Sequence, residues 1–143
     1  MSDANALEQL ADALAHFDVP AYGALPEIDL YMDQVIGYLN RLLCRICRSE
    51  DGAPLTPSMI NNYVKGGHVE RPVQKKYNRD RIAMLYMLCC LKQNLTISEA
   101  AALLGGEDTK ALFARFRVLQ TEALRGLSAA VPAADADAAS LRE

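Results

Sequence analysis

The sequence predicts an all-α fold: a compact helical domain carrying a helix-turn-helix and a short basic wing. Three observations point there. Apolar residues recur at the spacing of one helix face through most of the chain. Start and stop signals bracket those segments, among them Thr56-Pro57, Gly66-Gly67, Asn78, Thr96 and Gly105-Gly106. Only Val69 to Tyr77 alternates loosely, as a small extended hairpin does. With 143 residues, 51% of them hydrophobic, the chain is long enough to bury one core and too short for two.

Taken in order, the first helix is expected over Ala6 to Phe17, where Leu7, Leu10, Ala11, Leu14 and Ala15 share a face, and Pro20, Gly23 and Pro26 end it. The second runs from about Leu30 to Arg48 with Asp29 as its cap and a stripe of Met32, Val35, Ile36, Leu39, Leu42, Leu43, Ile46 and Cys47. Thr56 caps a short third helix with Pro57 at its first position, and Gly66-Gly67 stop it. Val69 to Tyr77 is the wing. Asn78 caps a helix over Ile82 to Leu91 whose apolar run is nearly continuous, so that helix is the buried centre. Thr96 opens a fifth, and a sixth from Asp108 to Leu127 buries Leu112, Phe116, Leu119, Ala123 and Leu127. The expected divisions are an N-terminal helix and linker over 1–24, the main domain over 25–128, and a disordered Ala-rich tail over 129–143.

The formal charge of −3 hides a strong asymmetry. Residues 1–40 hold seven acids and no Lys or Arg, whereas residues 41–81 hold nine cations against four acids. A mildly acidic protein thus carries one basic face. No apolar run approaches a membrane span, and Met1 to Asn5 have no signal-peptide character, so a cytoplasmic protein is expected, without membrane contact. Cys44, Cys47, Cys89 and Cys90 lie among Leu, Ile and Met and read as core thiols; a zinc site is the sharper alternative, but no His accompanies either pair, and no metal ligand or cofactor is assigned. His16 and His68 are the only histidines, no nucleophile-base arrangement is apparent, and both Gly-Gly pairs behave as helix stops, so no catalytic residue is assigned and an enzyme is not expected.

The informative stretch is Leu55 to Gly67. Met59, Ile60, Tyr63 and Val64 form one apolar face, leaving Ser58, Asn61, Asn62 and Lys65 on the other. Asn pairs bidentately with the N6 and N7 of adenine, Ser and Lys reach phosphates or base edges, and a helix N-terminus favours phosphate. A polar surface turn without a partner is the alternative. Lys75, Lys76 and Arg79 flank Tyr77 in the segment that follows, a pattern suited to backbone phosphates beside the groove.

Residues Leu55 to Leu104 resemble the DNA-binding half of the MerR family. The shared features are a capped short helix ending in Tyr63, Gly66 and Gly67, a Pro-containing wing closing in Lys76-Tyr77, the helix Asn78 to Leu91, and the Thr96-Ile97-Ser98-Glu99 turn into a Leu-Leu helix. Leu25 to Gln34, Met59 to Tyr63 and Lys75-Lys76-Tyr77 resemble more closely a bacterial family catalogued as a domain of unknown function and regarded as helix-turn-helix regulators. The resemblance implies a sequence-specific transcriptional regulator of double-stranded DNA. Its helix 57–66 reads the major groove through Ser58, Asn61, Asn62 and Tyr63, with Lys65 beside them, while its wing 69–77 meets phosphates through Lys75, Lys76 and Tyr77, joined by Arg79. The chain departs from MerR in the longer helix before the reader and in lacking a coiled coil and effector domain; Cys44 and Cys47 also precede the reader, so metal sensing is not implied. A homodimer is expected, because one reader covers little DNA and operators are commonly two-fold symmetric, with the stripe of the last helix as its interface or else packed on the first helix. The rival function is a protein-protein interaction module using that same apolar C-terminal helix.

Overall fold

The computed structural model describes residues 3–46, 53–105 and 108–141, with side chains described over 6–46, 53–105 and 108–130. Among them are six helices, α1 Asp3–His16, α2 Met32–Leu43, α3 Pro57–Lys65, α4 Arg79–Leu91, α5 Ile97–Leu104 and α6 Thr109–Leu141. A 3₁₀ turn spans Tyr22–Ala24, and strands β1 Leu30–Tyr31 and β2 Lys76–Tyr77 pair antiparallel, Leu30 against Tyr77 and Tyr31 against Lys76. No helix among the described residues is long and apolar enough to cross a membrane.

The chain divides into two compact units. The larger, Pro20–Phe116, is built on α4, in which Ile82, Ala83, Leu85, Tyr86, Met87, Leu88 and Cys89 are all buried. A helix apolar on all sides must sit at the centre, as its sequence predicts. Around it α2 contributes Val35, Leu39 and Leu43, one every four residues, α3 contributes Ile60 and Tyr63, and α5 contributes Ala100 and Leu104. The Tyr86 ring packs edge-on to Phe113 at 6.1 Å and to Phe116 at 6.2 Å. Three of the caps fall where the sequence puts them: Thr56 Oγ1 accepts from Met59 N–H, Asn78 Oδ1 from Arg81 N–H, and Thr96 exchanges two bonds with Glu99. The Thr96 backbone N–H, and after it the Thr96 side-chain hydroxyl, hold the Glu99 carboxyl below its ordinary range.

In the smaller unit, Met1–Val19 with Arg117–Glu143, hydrogen bonds tie α1 and the residues that follow it to α6. Ser128 Oγ donates to Ala11 O at 2.6 Å, and Arg117 donates from Nε to Val19 O at 2.7 Å and from Nη2 to Asp18 at 3.3 Å. Leu14, Phe17 and Val19 are buried.

Four expectations need correction. Leu30 and Tyr31 are strand rather than helix, so the fold is mostly helical with one small sheet, and α2 begins at Met32 with Tyr31 as its cap in place of Asp29; Tyr31 N–H donates to Gln34 Oε1 at 2.9 Å. The last helix continues past Leu127 to Leu141. Its stripe is not buried as one line: Leu112 and Phe113 are inside, while Leu119 and Leu127 are 66% and 55% exposed. The reason is angular, since Arg117 bonds Asp18 and Val19, Ser128 bonds Ala11, and Leu119 lies about 200° round the helix from Arg117. Lastly, Cys44 is exposed rather than in the core, whereas Cys89 is buried; Cys47 lies outside the described residues.

Candidate nucleic-acid interface

Two long-range contacts set the start of α3. Asn40, on α2, brackets the backbone of Leu55: its Nδ2 donates to Leu55 O at 2.9 Å and its Oδ1 accepts from Leu55 N–H at 2.8 Å. Leu55 itself is fully buried, and Cys89 Sγ donates to Pro54 O at 3.6 Å. The residue before the Thr56 cap is therefore fixed on both its polar groups. Ile60 and Tyr63 then turn inward, and Ser58, Asn61, Asn62 and Lys65 are left exposed on α3. Gly67, at φ +78°, lets the chain reverse, with His68 N–H donating to Tyr63 O at 2.9 Å. The His68 ring packs so closely over Gly66 that a Cβ there would meet Nε2 at 2.8 Å.

Val73 to Lys76 form a tight hairpin closed by two backbone bonds, Val73 N–H to Lys76 O at 3.1 Å and Lys76 N–H to Val73 O at 2.9 Å. The two residues between them, Gln74 at φ 52° and Lys75 at φ 66°, both occupy the left-handed region that a type I′ turn demands. Asn and Gly usually fill these positions, because other side chains cost roughly 1 to 2 kcal/mol there. The hairpin is held at its base by Arg81, whose Nε donates to Arg71 O at 2.9 Å and Glu70 O at 3.3 Å while Nη2 pairs with the Glu70 carboxylate at 3.3 Å. Further along, β2 pairs with β1, and the Lys76 ammonium stands 5.3 Å over the Tyr31 ring.

The structure separates the nine sequence-predicted site residues into two groups. Ser58, Asn61, Asn62, Lys65 and Lys75 are exposed and Lys76 is half-buried, all on α3 or the hairpin. Tyr63 and Tyr77, at 5% and 2% exposure, belong to the core. The Tyr63 hydroxyl has no partner among the described residues, and burial, with Cys89 adding to it, pushes its pKa up to about 12. Burial also raises that of Tyr77. Arg79 is engaged internally: Nη2 donates to Leu25 O at 3.1 Å and lies 3.9 Å from Glu27, and the guanidinium stands 5.5 Å from the Tyr22 ring centre. Beside it the Tyr22 hydroxyl donates to Asp80, and burial, with that bond adding to it, raises its pKa to about 12. Asn40, Arg81 and Tyr31, which position α3 and the hairpin, escape a sequence reading because each acts on a distant segment.

A cleft of about 790 Å³ lies between the starts of α2 and α3 and the hairpin, and Asn61 and Lys75 both border it. Among the described residues no group of three or more His, Cys, Asp or Glu side chains is placed to hold a metal ion.

A family model described as a domain of unknown function, DUF1836, matches residues 20–116. The chain belongs to the DUF1836 family. The DUF1836 match and the larger compact unit, Pro20–Phe116, have the same limits, so the family corresponds to the α4-centred core with α3 and the hairpin. No curated protein and no solved structure matches the chain.

Proposed function

We propose that this DUF1836 chain is a cytoplasmic, sequence-specific DNA-binding transcriptional regulator, in which α2 and α3 act as a MerR-like helix-turn-helix and the hairpin as its wing. The observation that carries the reading is the division of α3: Ile60 and Tyr63 anchor it, and Ser58, Asn61, Asn62 and Lys65 stand exposed next to a hairpin bearing Lys75 and Lys76. Asn61 and Asn62 have the donor-acceptor pair that reads adenine in the major groove, and Lys65, Lys75 and Lys76 supply phosphate contacts. Local cation density in residues 41–81 supports it despite the net charge. The chain acts as a homodimer on a two-fold site. Selection of bound sequences from a random duplex pool tests this: enrichment of one defined site is the expected outcome, and no enrichment at low salt defeats it.

One observation favours a second reading. Val118, Leu119 and Leu127 of α6 are 54%, 66% and 55% exposed, an apolar surface suited to a protein partner. Under that reading the basic face contributes solubility alone.

A further inference from the structure

The cleft between α2, α3 and the hairpin has a lining with a distinct chemistry. Its walls are Tyr31, Met32, Ile36, Pro57, Pro72 and Tyr77, and its volume of about 790 Å³ is that of a small-ligand site. Three polar residues border this apolar surface: Asp33 from the first turn of α2, Asn61 from α3 and Lys75 from the hairpin. Among the described residues none of the three side chains has a hydrogen-bond or ion-pair partner. An acid, an amide and a base, all unengaged beside one apolar surface, are complementary to a zwitterion with an apolar body. A neutral apolar molecule would cover both charges without pairing them, and a polyanion would meet Asp33.

We propose that this cleft binds a zwitterion of the amino-acid type, either a free apolar α-amino acid or a short apolar peptide. Its ammonium pairs with Asp33, its carboxylate with Lys75, its amide or carboxylate oxygen accepts from Asn61, and its side chains lie on Tyr31, Ile36 and Pro57. Asn61 and Lys75 are also DNA contacts in the function proposed above. Resting on that reading, ligand and DNA exclude one another, and each lowers the other's affinity by the same factor.

The direct test uses the full chain without DNA, titrated with phenylalanine, leucyl-phenylalanine and leucyl-phenylalanyl-leucine and followed by amide chemical shifts. At least one should saturate by low millimolar concentration with shifts centred on Asp33, Asn61 and Lys75, and the series tells a free amino acid from a peptide. N-acetylation or C-amidation should each weaken it at least ten-fold. Asp33→Asn should abolish the penalty of acetylation and Lys75→Met that of amidation, with the circular dichroism spectrum of each unchanged. Failure of all three probes to saturate, or equal binding of blocked and free forms, overturns the site. A second titration, against the selected duplex, addresses the coupling: displacement of DNA is expected, and simultaneous binding overturns the exclusion alone. A protein that binds the zwitterion but no duplex retains the cleft and loses the regulator.

Discussion

Asn61 and Asn62 are neighbours on α3, both exposed, yet only Asn61 also borders the cleft. If either reads a base edge, its replacement by Ala removes a contact worth roughly 1 to 3 kcal/mol and relaxes preference at one position of each half-site, leaving non-specific binding unchanged. Lys75→Ala and Lys76→Ala should instead weaken all duplexes alike and flatten the slope of log K against log salt by about 0.9 per lost phosphate contact. The reverse pattern, read by titrating matched and mismatched duplexes over a salt series, would defeat the assignment. Tyr63 has another role. Its hydroxyl is buried without a partner among the described residues, so Tyr63→Phe should leave stability unchanged or raise it by about 1 kcal/mol in urea unfolding. Tyr63 and Tyr22 titrate at about 12 when folded, against 10 as the ordinary value. Because the folded pKa is the higher, their contribution is complete below pH 10 and is lost as pH climbs from 10 to 12. Tyr63→Phe should therefore flatten that alkaline loss. The outward face of α3 was legible from its period, but the inward turn of Tyr63 follows from the same period, and a resemblance that places it on DNA overlooks it.

At the level of elements, the caps were readable because each is a local signal: Thr56-Pro57, Asn78 and Thr96 with Glu99 all sit within three residues of the groups they satisfy. Strand β1 was not, since two residues carry no periodicity and its partner β2 lies far along the chain. The Asn40 bracket on Leu55 and the Arg81 hold on the hairpin base are illegible for the same reason. The hairpin itself was foreseen from alternation, but not its turn type, because Gln74-Lys75 lacks the Asn-Gly signature. The mismatch makes a prediction. Gln74→Asn keeps the chain's length and suits the left-handed backbone better, and should stabilise the protein by several tenths to about 1 kcal/mol in thermal or urea unfolding. A loss of stability would mean that the Gln74 side chain makes an interaction that compensates its backbone.

For the whole molecule, charge and apolar surface are distributed unevenly. The acids concentrate in residues 1–40, the cations in 41–81, and the exposed large apolar residues of α6 lie beyond the family match, from Val118 onward. Leu119 and Leu127 are two turns apart on α6 with Ala123 between them, a short stripe that a two-fold partner can cover with its own copy. Light scattering at tens of micromolar should show a dimer, and Leu119→Glu with Leu127→Glu should give a folded monomer that binds a half-site with reduced affinity. A wild-type monomer, with and without DNA, would refute the dimer.

The closed turn between Val73 and Lys76 also bears on proteolysis. Lys75-Lys76 is a doublet that trypsin recognises, with Lys75 at an exposed tip of the sort usually nicked first. A protease, however, takes its substrate as an extended strand, and these residues are locked in a reversal by the two cross-bonds of Val73 and Lys76. Cutting must wait for the tip to open, so under mild digestion its rate reports the opening equilibrium of this hairpin and not its accessibility.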